Sequence, residues 1–332
     1  MSVKKIALFA ILGILPLTPC FSKVTVREYA MPAVQGFPYH PTVSGDWVVA
    51  LLNTEQNNVT STIGVIAYDL KNKQVHTIYQ GKVTDLAFTG TTVMWAGAAN
   101  DVPSLHGIRT HSSSFCDLVI YDLSTDRNSS PPCSITGVGL SAFGNLVTFE
   151  NGSTIWMYNR SNNEHKRISD AARNHHCTDM CGDLVVWNEY KDTHTSRIRG
   201  YRISTGEELL LTDDYESNPP PPRTDGKYVV WSTNGIGTRA YDLKTGQMRV
   251  IKLGSLPDVS DGIAVYTRSL NTGVGKRFVY GMDLKTGEEF QISKGQPERQ
   301  PRIEGNHVVW VEGSVLHCAD LTRTSELKLF DK

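Results

Sequence analysis

A short sequence element recurs seven times along this chain of 332 residues, and this repetition constrains the fold more than any other feature. Each copy has a glycine, two variable residues, two small residues that are mostly apolar, and a last residue that is usually a large aromatic. The clear copies lie at 182–187, 226–231 and 305–310, and the weaker copies at 45–50, 90–95, 144–149 and 262–266. Such a period is typical of folds that repeat one supersecondary unit.

A second element, Tyr-Asp-Leu or a variant of it, follows each copy, and it is clearest at 241–243 before a Lys-Thr-Gly turn. The aspartate can bond the backbone of such a turn, and the glycine supplies a positive φ. Each unit therefore contains four short strands, and one four-stranded sheet cannot bury both of its faces. Seven sheets arranged radially can bury them against one another. The sequence predicts an all-β, seven-bladed β-propeller with four antiparallel strands per blade.

This propeller is predicted to form a single domain over residues 23–332. Its blades are expected at about 38–83, 84–136, 137–172, 173–216, 217–253, 254–296 and 297–332. Residues 24–29 resemble an outer strand without a blade of its own, and 326–330 could also supply the outer strand of the last blade. Either segment could close the ring. The large residue that ends the second strand of each blade is expected to pack between blades rather than to bind a ligand.

The first 22 residues have the features of an export signal. Lys4 and Lys5 precede an apolar run at 6–15, which Pro16 ends, and cleavage after Ser22 is expected. The protein is therefore predicted to be secreted or periplasmic, with lipid anchoring at Cys20 as the alternative. The apolar run is short for a bilayer, and no other segment is apolar enough, so no transmembrane segment is predicted.

Charge and cysteine content narrow the classes of partner, covalent link and cofactor that this protein can have. The chain has 33 basic and 34 acidic residues, which argues against a nucleic-acid partner. Five cysteines remain after cleavage, and export permits disulfides. A cross-strand bridge between Cys116 and Cys133 is expected, and the odd count leaves at least one thiol unpaired. No CxxC pair and no cofactor motif occurs in the sequence, so neither a metal nor a cofactor is predicted.

The repeat pattern resembles the TolB-like propeller repeats of periplasmic and cell-surface proteins, most clearly at 225–231 with 241–246. This resemblance covers nearly the whole mature chain and implies the fold, because the shared residues are structural. A looser resemblance is to secreted lyases of uronate-containing polysaccharides, including ulvan lyases, which also use seven-bladed propellers. It implies a substrate groove on one propeller face, lined by His, Tyr and Arg side chains.

Candidate ligand-binding residues come from the loops expected on one face of the ring, because long loops on a rigid scaffold commonly carry function. They are His40, His106, Arg109, His111, His175, Arg277 and Arg299. The leading hypothesis is a non-enzymatic recognition propeller that binds a protein or a glycan through this face. Its partner would be an envelope or extracellular protein, or an acidic polysaccharide.

The alternative is a polysaccharide lyase acting by β-elimination. This chemistry needs a neutral base for the C5 proton, a cation beside the carboxylate and an acid for the leaving oxygen. The candidate catalytic residues are His176, His194, Tyr190 and Arg223. A metal held by His175, His176 and His194 is disfavoured, because adjacent residues of an extended strand point in opposite directions.

Overall fold

The computed structural model describes most of the chain between residues 22 and 325. The described residues are 22–34, 36–56, 59–98, 116–130, 134–135, 139–171, 174–192, 195–213, 216–217, 221–233, 236–269, 276–297 and 300–325. Their regular structure is entirely β, in seven antiparallel sheets that follow one another along the chain. Among these residues there is no helix with the length and apolarity needed to span a membrane. The predicted seven-bladed propeller is confirmed.

Each sheet is one blade, and its strands run from the centre of the ring outwards as a, b, c and d. Blade 1 contains β2 (Phe37–Ser44), β3 (Trp47–Gln56), β4 (Val59–Asp69) and β5 (Gln74–Gln80). Blade 2 contains β6 (Val83–Thr89), β7 (Thr92–Ala98), β8 (Cys116–Asp122), β9 (Arg127–Ser129) and β10 (Ser134–Ile135). Blade 3 contains β11 (Ser141–Phe143), β12 (Leu146–Asn151), β13 (Thr154–Asn159) and β14 (Glu164–Arg167).

The other four blades complete the ring. Blade 4 contains β15 (Asn174–Cys181), β16 (Leu184–Tyr190), β17 (Thr195–Arg202), β18 (Glu207–Leu210) and β19 (Glu216–Ser217). Blade 5 contains β20 (Arg223–Thr224), β21 (Tyr228–Thr233), β22 (Gly237–Asp242) and β23 (Met248–Ile251). Blade 6 contains β24 (Gly254–Ser260), β25 (Ile263–Ser269), β26 (Arg277–Asp283) and β27 (Glu289–Gln291). Blade 7 contains β28 (Arg302–Glu304), β29 (His307–Glu312), β30 (Val315–Ser325) and the N-terminal strand β1 (Ser22–Ala30).

Strand β1 closes the ring. It pairs with β30 over its whole length, from Ser22 opposite Ser325 to Ala30 opposite His317. The outer strand of the last blade therefore comes from the other end of the chain, as the sequence of residues 24–29 suggested. The competing segment, 326–330, lies outside the described residues.

The large residues that end the repeated sequence element lie in the interior of the second strands and form the core between blades. Trp187, Trp231, Tyr266 and Trp310 are among the largest fully buried side chains. Each belongs to an apolar cluster that spans two neighbouring blades; Trp231, for example, packs with Leu184 and Val186 of blade 4. The expectation that these aromatic residues serve packing rather than ligand binding agrees with their burial.

One face of the ring, which we name the turn face, carries the a–b and c–d turns of the blades. In the c–d turns an aspartate accepts backbone N–H bonds two and three residues on, as Asp242 does from Lys244 and Thr245. In the a–b turns of blades 2, 3, 6 and 7 the glycine N–H binds a side chain of the preceding blade, as Gly90 binds Ser44 and Gly305 binds Ser260. The turn face thus joins neighbouring blades by repeated short hydrogen bonds.

The opposite face, which we name the loop face, carries the starts of the inner strands and the b–c connections. Its described connections differ from blade to blade. In blade 1 the β3–β4 hairpin stays paired as far as Gln56 opposite Val59, and in blade 4 an additional strand, β19, pairs with β17. The rigid blades therefore present a varied set of side chains on this face alone.

Candidate functional site

A group of ionisable side chains gathers on the loop face where blades 3 and 4 meet. Glu150 lies near the end of β12, His175 and His176 lie at the start of β15, and Glu189 and Tyr190 end β16. We call these five residues the blade 3–4 cluster. They lie on strand ends rather than on long loops, so the backbone of two sheets holds them in place.

Glu189 is the most buried charge of the cluster, with a side chain 1 % exposed. It accepts hydrogen bonds from the Nε atoms of Arg197, at 2.6 Å, and Arg199, at 2.8 Å. Both arginines reach it because residues two apart on β17 point to the same side of the sheet. Burial alone would raise the pKa of Glu189, but the hydrogen bonds from the two arginines outweigh it and lower the pKa to about 2. Glu189 is therefore ionised throughout the physiological range.

His175 lies against this ion pair and is also buried. Its Nδ1 is 3.3 Å from the carbonyl oxygen of Ser153, so Nδ1 carries the proton, because a carbonyl only accepts. Its Nε2 lies 3.7 Å from Glu189, and its ring meets Trp187 edge-on. Burial lowers the pKa of His175, which favours the neutral ring. His175 is therefore a buried member of the cluster and does not face solvent.

His176 is the exposed histidine of the pair, with 39 % of its side chain accessible. Its Nδ1–H donates to Glu150 Oε2 at 2.9 Å, and its ring lies edge-on to Tyr190 with centroids 5.5 Å apart. The hydrogen bond to Glu150 raises the pKa of His176, so the protonated ring is stabilised relative to a free imidazole. The two adjacent histidines engage different carboxylates, as expected for neighbours on an extended strand.

Gly139 makes room for this arrangement. It has a positive φ of 98°, and a Cβ placed there would lie 2.5 Å from Glu150 Oε1. Glu150 can therefore occupy its buried position only because the neighbouring inner segment has no side chain at this point.

Arg223, predicted to act with these residues, lies elsewhere. It belongs to the inner strand β20 and lines the central channel, a cavity of about 480 Å³ bordered by the inner segments of all seven blades. Its Nη1 binds Asp179 Oδ1 at 3.2 Å. Asp258 and Arg302 form a longer ion pair, 4.0 Å, in the same channel. Arg223 begins the inner strand β20, which borders the channel, and it pairs there with an inner-strand carboxylate instead of joining the cluster.

Three of the other predicted site residues can be located. His40 lies in β2 with a φ of 47°, borders the channel, and stacks near Tyr39 with ring centroids 4.1 Å apart. Arg277 is the exposed first residue of β26. Cys116 is the first residue of β8 and lies opposite Ile135. The predicted residues outside the described part of the chain are His106, Arg109, His111, His194, Arg299 and Cys133.

Sequence reasoning missed Glu150, Glu189 and Arg199, although the repeat contains a signal for the first two. The residue after the large aromatic is buried and without charge in the other blades: Leu51, Ala96, Asn188, Ser232, Thr267 and Val311. Glu150 is the one acid at this position, and Glu189 stands one residue further on in blade 4. An alignment of the seven units would have marked Glu150 as the one acid at its position, and Glu189 as one of two acids, with Glu312 of blade 7, at the next position.

Comparisons with known proteins support the architecture. No family model and no curated protein matches the sequence. Among solved structures, the chain is similar to the β-propeller domain of the Trilobed protease from Pyrococcus furiosus, with a TM-score of 0.61 and 15 % identity. That match covers 89 % of this chain and 98 % of the other. The Trilobed protease domain has an open velcro topology, whereas here β1 pairs with β30 in the last blade.

A second similarity is to the acylaminoacyl peptidase of Pyrococcus horikoshii, with a TM-score of 0.58 and 12 % identity. It covers 83 % of this chain and 49 % of the peptidase, so the chain spans about half the length of that enzyme. At such identities the likeness shows the propeller fold alone. A propeller fold is consistent with a binding or scaffold role.

Proposed function

We propose that this chain is an exported recognition propeller that binds a protein or glycan ligand on its loop face, at the blade 3–4 cluster. The observation that carries the proposal is the preorganised pair of His176 and Glu150 beside Tyr190. An exposed imidazole is held by a carboxylate that is only 5 % exposed, on the ends of two rigid strands. Side chains fixed in this way lose little conformational entropy on binding.

The fold itself does not need these charges. Buried ion pairs add little stability compared with well-packed apolar residues of similar volume, because desolvation offsets the attraction. Most other blades have small or apolar side chains at the position of Glu150 and are buried there equally well. A role in recognition accounts for two buried carboxylates at one junction of the ring.

The character of the cluster favours a protein ligand over a polyanion. The arginines beside it, Arg197 and Arg199, are bound to Glu189, and Arg239 on the same face is bound to Glu216. Exposed apolar side chains also occur on this face, including Ile236 and Leu253. Paired charges with aromatic and apolar neighbours are typical of protein interfaces, whereas polyanion binding calls for unpaired cations.

The lyase alternative is less well supported by the geometry. A base for the C5 proton must be neutral, and the hydrogen bond to Glu150 raises the pKa of His176, which stabilises its charged form relative to a free imidazole. His175 is neutral but buried, and Arg223 is paired with Asp179 in the channel. Of the candidate catalytic residues, Tyr190 lies beside His176, and a lyase would have to combine it with His194, which lies outside the described part.

Calorimetric titration of the mature protein with a panel of uronate and neutral polysaccharides separates the recognition function from the lyase function. The same samples are followed for the ultraviolet absorbance of unsaturated uronate ends. We expect no rise in absorbance. Saturable heat that His176→Ala abolishes and His165→Ala retains would assign the cluster a glycan ligand. A rise in absorbance that is lost in His194→Ala would overturn the proposal in favour of the lyase.

A further inference from the structure

The last blade differs from the others in how it uses its repeat aspartate. In blades 1, 2, 5 and 6 this aspartate accepts backbone N–H bonds of the c–d turn, as Asp69 does from Lys71 and Asn72. Blade 7 has no such turn, because its outer strand is β1 from the other end of the chain. The corresponding residue, Asp320, instead lies 2.9 Å from His307 Nδ1 and 3.5 Å from the hydroxyl of Tyr29.

Two more departures from the repeat lie beside Asp320. Cys318 precedes the motif aspartate by two residues, where the other blades have Ala67, Ile120, Met157, Gly200, Ala240 and Gly281. His307 begins the second strand, where the other blades have Trp47, Thr92, Leu146, Leu184, Tyr228 and Ile263. Since His307 lies opposite Asp320 and Val309 opposite Cys318, the histidine, thiol and carboxylate share one side of the sheet.

These three side chains offer a nitrogen, a sulfur and an oxygen that lie within 4.8 Å of one another. Metal bonds of about 2.0 Å to nitrogen or oxygen and about 2.3 Å to sulfur place the tetrahedral ligands of this set about 3.3–3.5 Å apart. Side-chain adjustments of about 1 Å would therefore suffice to surround an ion. The Tyr29 hydroxyl is hydrogen-bonded to Cys318 and lies beside the same point. Either this hydroxyl or a water molecule can be the fourth ligand.

The burial of the cluster suits a metal site with access from one side. Cys318 is fully buried, while the side chains of His307 and Asp320 are 19 % and 30 % exposed. An ion can thus approach past the histidine and the carboxylate and reach a thiol that larger reagents cannot. Burial raises the pKa of the Cys318 thiol to about 12, so without a metal the sulfur stays protonated.

We propose that His307, Cys318 and Asp320 form a transition-metal site, with Zn²⁺ as the preferred ion, at the closure of the ring. Imidazole and thiolate are ligands that zinc favours, and the carboxylate completes a mixed set. Binding releases the thiol proton to solvent as the sulfur–metal bond forms. The ion joins β29 to β30 beside Tyr29 of the closing strand, which lies opposite Cys318 in the sheet.

Two other clusters among the described residues are weaker candidates. In the cluster of Asp170, His175 and Glu189, Glu189 is already bound by two guanidinium groups, which repel a metal cation. These groups belong to Arg197 and Arg199. In Glu28, Glu312 and His317, the glutamates contact opposite nitrogens of one ring, at 3.5 and 3.8 Å. This arrangement is that of an ion-pair triad, and it offers no sulfur ligand to zinc.

Cobalt substitution tests the proposal, because Co²⁺ bound to thiolate gives a sulfur-to-metal charge-transfer band. The reduced mature protein is titrated with Co²⁺ and then with Zn²⁺, alongside Cys318→Ser and the matched control Cys181→Ser. Cys181 is also a free thiol, and it lines the central channel. We expect one equivalent of Co²⁺ to give the band, Zn²⁺ to displace it, and Cys181→Ser to retain it.

Cys318→Ser should lose the band, and Asp320→Asn should weaken Co²⁺ binding by about tenfold or more. Zn²⁺ should raise the melting temperature of the native protein and of Cys181→Ser, and should raise that of Asp320→Asn less, because this variant keeps the shape of the side chain but binds the ion more weakly. This melting measurement decides the question if Cys318→Ser does not fold. Absence of the band in the native protein, or its persistence in Cys318→Ser, would overturn the site.

Discussion

The two faces of this propeller are built on different principles. On the turn face, equivalent positions solve the same problem in blade after blade: a glycine turns the chain, an aspartate or its replacement binds the next turn, and neighbouring blades share a hydrogen bond. On the loop face, equivalent positions diverge. Glu150, Glu189 and Arg197 have no counterpart around most of the ring. The turn face stabilises the ring, whereas the side chains of the loop face can vary and so can bind a ligand.

The interactions on the two faces also differ in how their contribution to stability is distributed. A turn-face hydrogen bond contributes about 1 kcal/mol, and the ring gains from many such bonds. The blade 3–4 cluster concentrates its interactions in a few buried charges, where removing one partner leaves the others without compensation. Substitutions should therefore have small, purely structural effects on the turn face and larger or functional effects on the loop face.

The largest effect is expected for Glu189→Ala. The substitution leaves Arg197 and Arg199 without their shared carboxylate, so unfolding by urea should show a loss of about 3–5 kcal/mol. Glu207→Ala is the matched control, because Glu207 is exposed and lies 4.0 Å from Arg202 of the same blade. The control should change stability by less than about 0.5 kcal/mol. Equal losses in the two variants would contradict the contrast between buried and exposed pairs.

A smaller effect is expected for Asp225→Ala on the turn face. Asp225 accepts N–H bonds from Lys227 and Tyr228 in its own turn and from Gly262 of the next blade. Its removal should cost about 1–2 kcal/mol in urea unfolding and leave ligand binding unchanged. Lys227→Ala, an exposed change in the same turn, serves as the control. Impaired binding by a folded Asp225→Ala protein would show that the turn face also has a recognition role.

His176→Ala should separate stability from function. Because the side chain is partly exposed, we expect a stability loss of no more than about 1 kcal/mol. Binding of the ligand should weaken by about tenfold or more, equivalent to about 1.4 kcal/mol. His165→Ala provides the comparison, since His165 is exposed on β14 and stacks on Tyr158. Unchanged affinity in His176→Ala would remove the cluster from the interface.

The smallest effect is the pH dependence of the His176–Glu150 pair. The folded protein raises the pKa of His176, so the pair stabilises the fold fully below the unfolded pKa of about 6.5. That contribution is lost as the pH rises through the folded pKa. The stability difference between the native protein and His176→Gln should thus be largest near about pH 5.5 and shrink towards about pH 9. A difference that grows with pH would contradict the assigned hydrogen bond.

The same contrast explains what the sequence could predict. The seven copies ending at residues such as Trp187 and Trp231 predict blade number, strand order and the packing of the aromatics, because those properties repeat. The turn-face bonds follow from the Tyr-Asp-Leu and Gly elements for the same reason. Residues His176 and Tyr190 could be placed on one face by counting strands, and the structure brings them together.

The partners of these residues could not be predicted in the same way. Glu150 reaches His176 across a blade boundary, and this contact depends on the bare backbone at Gly139. Arg223 faces the channel because it begins an inner strand and does not lie in a surface loop. The same limit applies to His307, Cys318 and Asp320, which approach one another only through the register of β29 and β30. Contacts of this kind are set by tertiary geometry and leave no local pattern.

The central claim, that the loop face is the recognition surface, is tested most directly by face-specific photo-crosslinking in the cells that produce the protein. A benzophenone side chain is placed at Lys191 beside the blade 3–4 cluster or at Lys244 in a turn-face loop. Benzophenone inserts into C–H bonds of proteins and glycans alike, so either ligand class is captured. We expect a discrete adduct from position 191, reduced when His176→Ala is combined with it, and none from position 244. Adducts from position 244 alone, or equal labelling from both faces, would contradict the account.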